Sequence, residues 1–242
     1  MMSGMMATTG AALSVAVAQP VCVGGDVERN AREHAGLIRR AGARLVVFPE
    51  LSLTGYHLDA PPVEPDDMAL APLVEACVET DVVALAGAPV VSGDDTTIAM
   101  LRIDASGGRV VYRKGWLSPA EQYRFTPGDG PTVIDVDGWR VGLGICKDTG
   151  TRAHVDGVAA LDLDLYAAGV LHHRHELDEQ DARATSIARR CGCHVAFASF
   201  AGRTGGGFEV PAGNSGIWDG RGRRIARTSH RHDEVTSALL RR

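Results

Sequence analysis

Three side chains in this sequence have the types and order to work together if the fold gathers them: Glu50, Lys114 and Cys146, separated by 64 and then 32 positions. Cys146 closes the apolar alternation Val141-Gly142-Leu143-Gly144-Ile145, which reads as a buried strand. After it come Lys147, Asp148 and the polar run Thr149-Gly150-Thr151, before helix-like residues resume. A thiol between a strand and a helix start lies near unpaired backbone N–H groups, which favour a thiolate and an oxyanion. Gly142 and Gly144 leave space for another backbone or a ligand to come close. Thr149 or Thr151 is suited to cap the helix that follows. The plain alternative is a buried structural cysteine.

A nucleophile needs a base and a cation. Glu50 follows a wholly apolar stretch and is flanked by Phe48, Leu51 and Leu53. A carboxylate in such surroundings reads as partly buried with a raised pKa, which suits a general base near neutral pH. A surface glutamate at a strand end is the ordinary reading. Lys114 leaves a strand in Tyr112-Arg113-Lys114 and enters a loop carrying Trp116, Tyr123 and Phe125. The aromatics can wall off water, and Glu121 can pair with the ammonium. Against this stands an exposed loop lysine.

The elements that must position these groups alternate. Strands are expected over 13–18, 44–48, 82–91, 97–104, 108–113, 132–136, 139–145, 163–168, 194–200, 214–218, 223–226 and 235–240. Helices are expected over 26–42, 66–80 and 178–191. Strand, helix, strand at this spacing is an α/β unit. The whole of 13–242 reads as a single domain, preceded by a disordered leader over 1–12.

Composition narrows the partners. The chain has 242 residues, with 25 basic and 30 acidic side chains for a net charge of −5, which argues against nucleic acid as the main partner. Seven arginines between Arg221 and Arg242 read as charged strand faces and a solvated terminus. Cys22, Cys77, Cys146, Cys191 and Cys193 are an odd set without a secreted-scaffold spacing. With no signal-peptide pattern, they read as reduced and the location as cytoplasmic. No apolar run is long enough to span a bilayer, so no membrane partner is expected. His172-His173-Arg174-His175 and Cys191-Gly192-Cys193 lack zinc-finger spacing, so the histidines read as lining a pocket mouth or solvated. Gly205-Gly206-Gly207 has no following Lys-Ser/Thr, so it is read as a mobile loop beside the site rather than a phosphate loop.

Taken together, Val46-Val47-Phe48-Pro49-Glu50 with Thr54-Gly55-Tyr56, Tyr112-Arg113-Lys114 with Phe125-Thr126-Pro127-Gly128-Asp129, and Gly144-Ile145-Cys146-Lys147-Asp148 resemble the Glu-Lys-Cys motifs of the nitrilase superfamily, the carbon–nitrogen hydrolases. The helix carrying Ala182-Arg183-Ala184 is similar to that family's Ala-Arg-Ala helix. The resemblance implies a four-layer α-β-β-α sandwich, with two sheets face to face. It also implies a homodimer or higher even oligomer, and neither cofactor nor metal.

The implied reaction is hydrolysis of a small carboxamide through a thioester on Cys146. Glu50 is the base, Lys114 and the Lys147 backbone N–H hold the oxyanion, and Glu121 orients Glu50 or Lys114. Tyr56, Lys147, His172 and His173 are the candidate substrate-binding residues. Asp148 resembles the amidase and carbamoylase branches, which favours an amide over a nitrile. The alternatives are nitrile hydrolysis, acyl transfer to a nucleophile other than water, and a catalytically silent binding member. Two departures leave the substrate open. Thr149-Gly150-Thr151 stands where many members have an aromatic-proline-glutamate turn, and Leu171-His172-His173 stands where many carry a proline and a tryptophan.

Overall fold

The computed structural model describes residues 12–242. The expected leader lies outside them except for Ala12, which is the first residue of a strand rather than the last of a tail. In chain order the strands are β1 (Ala12–Gln19), β2 (Leu45–Val47), β3 (Val83–Ser92), β4 (Asp95–Asp104), β5 (Gly107–Arg113), β6 (Val133–Val136), β7 (Trp139–Ile145), β8 (Leu165–Val170), β9 (His194–Ser199), β10 (Gly216–Trp218), β11 (Arg224–Arg227) and β12 (Glu234–Arg241). The helices are α1 (Val27–Ala41), α2 (Ala71–Thr80), α3 (Arg152–Ala159) and α4 (Leu177–Cys191).

Among the described residues the strands form two six-stranded sheets, ordered β12-β1-β2-β3-β4-β5 and β11-β10-β9-β8-β7-β6. β1, β2 and β3 pair in parallel in the first sheet, as do β7, β8 and β9 in the second, and antiparallel pairs add the remaining strands. The last strand closes the first sheet by pairing antiparallel with β1 along its whole length.

Alternation along the strands sends apolar side chains to both faces, and both faces are covered. Val15, Val17, Leu45 and Leu85 of the first sheet share one apolar cluster with Leu143, Ile145, Leu165 and Ala196 of the second. The outer face of the first sheet packs on α1 and α2 through Ala35, Ile38, Leu73 and Val46. The outer face of the second packs on α3 and α4 through Val158, Ala184, Ile187 and Phe197. The result is the expected four-layer α-β-β-α sandwich. No helix among the described residues is long and apolar enough to cross a membrane.

Helix ends follow their chemistry. Asp26 caps α1 by accepting from the Arg29 N–H at 3.1 Å, and Gly42 ends that helix in the left-handed conformation. The expectation for α3 needs correction. Thr151 does occupy the cap position, but its hydroxyl donates to the Lys147 carbonyl at 2.9 Å and caps nothing.

The segment carrying Glu50 is wedged between the sheets. A Cβ on Gly87 of β3 would lie 2.2 Å from the Leu51 nitrogen, and one on Gly169 of β8 would lie 2.7 Å from the Glu50 nitrogen. Only glycine on each side lets this backbone through. Gly87→Ala is therefore expected to lower unfolding stability by about 1–3 kcal/mol, the scale of overpacking. It should also cost activity in the folded fraction, because Glu50 must shift. Denaturant titration beside an activity assay checks both. An alanine variant with unchanged midpoint would show that the wedge yields freely.

Candidate active site

Each of the three side chains named first leaves the C-terminal end of a strand. Glu50 follows β2, Lys114 follows β5 and Cys146 follows β7, so the first sheet supplies the acid and the lysine and the second supplies the thiol. Lys114 and Glu50 are each 1% exposed and Glu121 is fully buried, so their charges must be matched internally. The Lys114 Nζ donates to Glu50 Oε1 at 2.6 Å and to both oxygens of Glu121 at 2.8 Å.

Glu121 also accepts from the Tyr56 hydroxyl at 2.9 Å and from the Ser118 N–H at 2.7 Å. Glu50 Oε2 is buried and has no hydrogen-bond partner among the described residues.

This unequal sharing separates the two acids. Burial pushes Glu50 up to about 8; Lys114 pulls against this, and the Glu121 charge adds to it. Glu121 is buried too, but its two contacts to Lys114 and its other donors bring it below the ordinary carboxylate range. Burial works against the Lys114 ammonium, yet the surrounding carboxylates outweigh it and raise its pKa. One carboxylate is thus held as an anion, while the other gains proton affinity.

Lys114, Glu121 and Cys146 line a cavity of about 510 Å³ together with Tyr56, His172 and His173. A slightly larger groove of about 550 Å³ between α3 and α4 contains none of the Glu50, Lys114 and Cys146 set, so size does not mark the chemistry.

A family profile described as carbon–nitrogen hydrolase matches residues 14–242. The chain belongs to the carbon–nitrogen hydrolase family. Its fold is shared with Nit3 of Saccharomyces cerevisiae, a member of branch 10 of the nitrilase superfamily, at a TM-score of 0.84 and 20% identity over 96% of this chain and 91% of that one. It is also shared with an amidase from Nesterenkonia sp. AN1, whose cysteine-to-alanine mutant is solved in complex with butyramide. That match has a TM-score of 0.81 and 22% identity over 98% of this chain and 94% of the other. A glutamine-dependent NAD(+) synthetase of Aquifex aeolicus is 24% identical over 94% of this chain. The chain spans 42% of the length of that curated relative.

In this member of the family the thiol departs from its expectation. Cys146 opens a 3₁₀ turn, Cys146–Gly150, and its backbone sits in the left-handed region at φ 40°. The sulfur is half-buried and donates to the Leu171 carbonyl at 3.2 Å. Burial pushes its pKa up, Glu50 adds to the rise and Lys114 opposes it. The resting group is a thiol, not the thiolate that a helix start alone favours. The half-buried Cys191 is the thiol whose pKa is lowered, by a hydrogen bond from Cys193.

Other expectations meet the structure in detail. The space at Gly142 and Gly144 is taken by Leu163 and Tyr166, not by a ligand. Asp148 is fully buried and holds the nucleophile turn to the lysine loop. Its carboxylate accepts from the Ile145 N–H at 2.8 Å, the Tyr112 hydroxyl at 2.8 Å and the Trp116 N–H at 2.9 Å. Burial pushes it up to about 6. Tyr56 is buried with its hydroxyl engaged on Glu121, so it braces the acid as well as lining the cavity.

His172 is buried rather than solvated, while His173 is half-buried and stacks on Phe208 with ring centroids 4.2 Å apart. The glycine-rich loop is pinned rather than loose. Its Thr204 hydroxyl and Gly205 N–H both donate to the Gly55 carbonyl, which sets Phe208 against Tyr56.

Sequence reasoning did not name Arg183, Glu176, Leu171 or Phe208 as cavity residues. Arg183 lies in the second turn of α4, where its charge reads as a surface salt-bridge partner. Only the packing of α4 over the 3₁₀ turn brings it to the cavity.

Proposed function

We propose that this chain hydrolyses the C–N bond of a small carboxamide through a thioester on Cys146. The observation that carries the reading is the buried Lys114 ammonium, clamped by Glu50 and Glu121 in the wall of the cavity that Cys146 lines. Glu50 Oε2, buried and unpartnered among the described residues, is the acceptor for the thiol proton. As that proton moves, the thiolate attacks the amide carbon and the carbonyl oxygen becomes an oxyanion. Lys114 and the Lys147 backbone N–H, at the start of the 3₁₀ turn where N–H groups lack internal partners, stabilise it.

Glu50 then returns its proton to the leaving nitrogen, and the thioester remains. In the second half, Glu50 takes a proton from water, hydroxide adds to the thioester carbon, and the acid leaves as the thiol is restored. Glu121 touches no reacting atom; it positions Lys114. The Nesterenkonia amidase, which is solved with butyramide, supports an amide as the substrate.

Lys114→Ala tests the clamp. Turnover of short amides, read as ammonia release, is expected to fall by ~10²–10³-fold, the scale of losing one oxyanion donor. Stability falls as well, because two buried carboxylates lose their cation, so the melting temperature is measured alongside. Lys114→Arg is not expected to rescue, since a planar fork does not fit where a point charge sits between two acids. Near-normal turnover in Lys114→Ala would reduce the lysine to a structural ion pair.

A further inference from the structure

Two thiols stand together at the end of α4 remote from the cavity. Cys191 is the last residue of that helix and Cys193 directly precedes β9, with Gly192 between them. α4 meets the cavity through Arg183 in its second turn, and the pair closes its last turn, on the order of 12 Å further along the axis. The other thiols each donate to a backbone carbonyl: Cys22 to Pro20, Cys77 to Ile103 and Cys146 to Leu171. Cys193 instead donates to the Cys191 sulfur.

The backbone already holds the spacing that a disulfide needs. Gly192 caps α4 at φ 63° and ψ 23°, and its N–H donates to the Ala188 carbonyl. The Cys193 N–H donates to the same carbonyl at 3.2 Å. Helical dihedrals of either hand keep the two flanking Cα atoms about 5.4 Å apart. That lies inside the window of about 4.4–6.8 Å that a disulfide spans. An extended residue in the middle would stretch the pair to about 6.8 Å, the edge of that window. Glycine takes the left-handed conformation without a Cβ penalty, so Gly192 is what brings the two cysteines into reach.

The two sulfurs differ in access. Cys191 is half-buried, while Cys193 is 2% exposed in the core under α4. The hydrogen bond from Cys193 and the charge of Arg190 lower the Cys191 pKa, against burial and Asp156. The same hydrogen bond, with burial, raises Cys193. Cys191 is therefore the thiol that meets a reagent first, and Cys193 waits behind it.

We propose that Cys191 and Cys193 form a thiol–disulfide exchange site, which reacts with a small-molecule disulfide and closes reversibly into a Cys191–Cys193 bond. First the Cys191 thiolate attacks one sulfur of the reagent. A mixed disulfide forms, and one small thiolate leaves and takes up the proton that Cys191 released. The Cys191 sulfur then no longer accepts as a thiolate, so the contact that raised Cys193 is relieved. Cys193 next attacks the Cys191 sulfur, the bond between them forms, and the second small thiol leaves with the Cys193 proton. Two protein thiols are oxidised and one disulfide is reduced to two thiols. A ring closed over one residue removes little chain entropy, so this bond is a reversible one and not a staple. The inference does not depend on the hydrolase reading.

Peptide mass spectrometry tests it on the full chain, incubated with an excess of oxidised glutathione, quenched in acid and alkylated in denaturant. Trypsin cuts after Arg190 and Arg203, so the peptide 191–203 carries both thiols. It is expected to escape alkylation and to be two hydrogens lighter than its reduced form. Dithiothreitol should return it to the doubly alkylated form. In Cys193→Ser the reaction should stop at a glutathione adduct on Cys191. In Cys191→Ser the buried Cys193 should react at least ~10-fold more slowly than Cys191 does in the unsubstituted chain. The unsubstituted chain decides the matter even if neither variant folds. A peptide that stays doubly alkylated, or that links to another cysteine, overturns the site. An adduct on Cys193 in place of Cys191 overturns the order of attack.

Discussion

Replacing Cys146 with alanine is expected to bring ammonia release down by on the order of 10⁶-fold, the scale of losing a covalent nucleophile, while substrate still binds. The substitution removes the sulfur and little else. Both residues carry a Cβ, so the left-handed backbone at φ 40° is strained to the same degree in each. The turn itself is held by Asp148, whose three hydrogen bonds to Ile145, Tyr112 and Trp116 do not involve the sulfur. The fold and the cavity should therefore survive. Intact-mass spectrometry of the unsubstituted chain with substrate should show an adduct equal to the acyl half, and Cys146→Ala should show none. If Cys146→Ala still released ammonia at a comparable rate, the thioester route would be wrong and the silent-member reading would gain.

The architecture could be read from the sequence because the strands are buried on both faces. Leu45-Val46-Val47-Phe48 and Val141 to Ile145 are apolar without interruption by charge, and glycines or turn residues punctuate their ends. The same logic placed Glu50, Lys114 and Cys146 at strand ends, Glu50 and Cys146 after parallel-paired strands and Lys114 after an antiparallel one. What local sequence does not carry is pairing between distant segments. Nothing around Glu234–Arg241 says that it pairs with Ala12–Gln19, because that choice is made by which edge remains open once the other strands are in place.

The electrostatics of the site lay out of reach for a related reason. A helix start lowers a thiol pKa, and that rule led to a thiolate. In the folded chain, burial and the Glu50 charge act on the same sulfur and outweigh it. Asp148 illustrates the same limit. Its type resembled a branch marker, but its work is mechanical: it ties its own turn to the Trp116 N–H and the Tyr112 hydroxyl, 32 and 36 positions away. Arg183 could not be assigned either, since a guanidinium on a helix with Glu179 one turn back looks solvated until the facing turn is known to carry a glycine.

Glu50→Gln should be nearly as damaging as loss of the thiol, with a drop of about 10³–10⁴-fold, because one carboxylate serves both half-reactions. Glutamine keeps the length and shape of the side chain, and its carbonyl oxygen can still accept from Lys114. It cannot take the thiol proton, which is held on a sulfur whose own pKa is raised, so acylation slows. It cannot activate water either, so any thioester that forms should persist and accumulate in the mass spectrum.

The pH profile supplies the second arm. Glu50 must be ionised to act as a base, and burial pushes its pKa up to about 8. Below that value the proton stays on, so kcat/KM should fall about tenfold for each pH unit and level off above it. Glu121 contributes no such limb, because its pKa is displaced downwards and it remains an anion throughout. In Glu50→Gln the limb near 8 should vanish from whatever activity remains. A limb that persisted unchanged in Glu50→Gln would assign it to another group and leave Glu50 as no more than the counter-charge of Lys114.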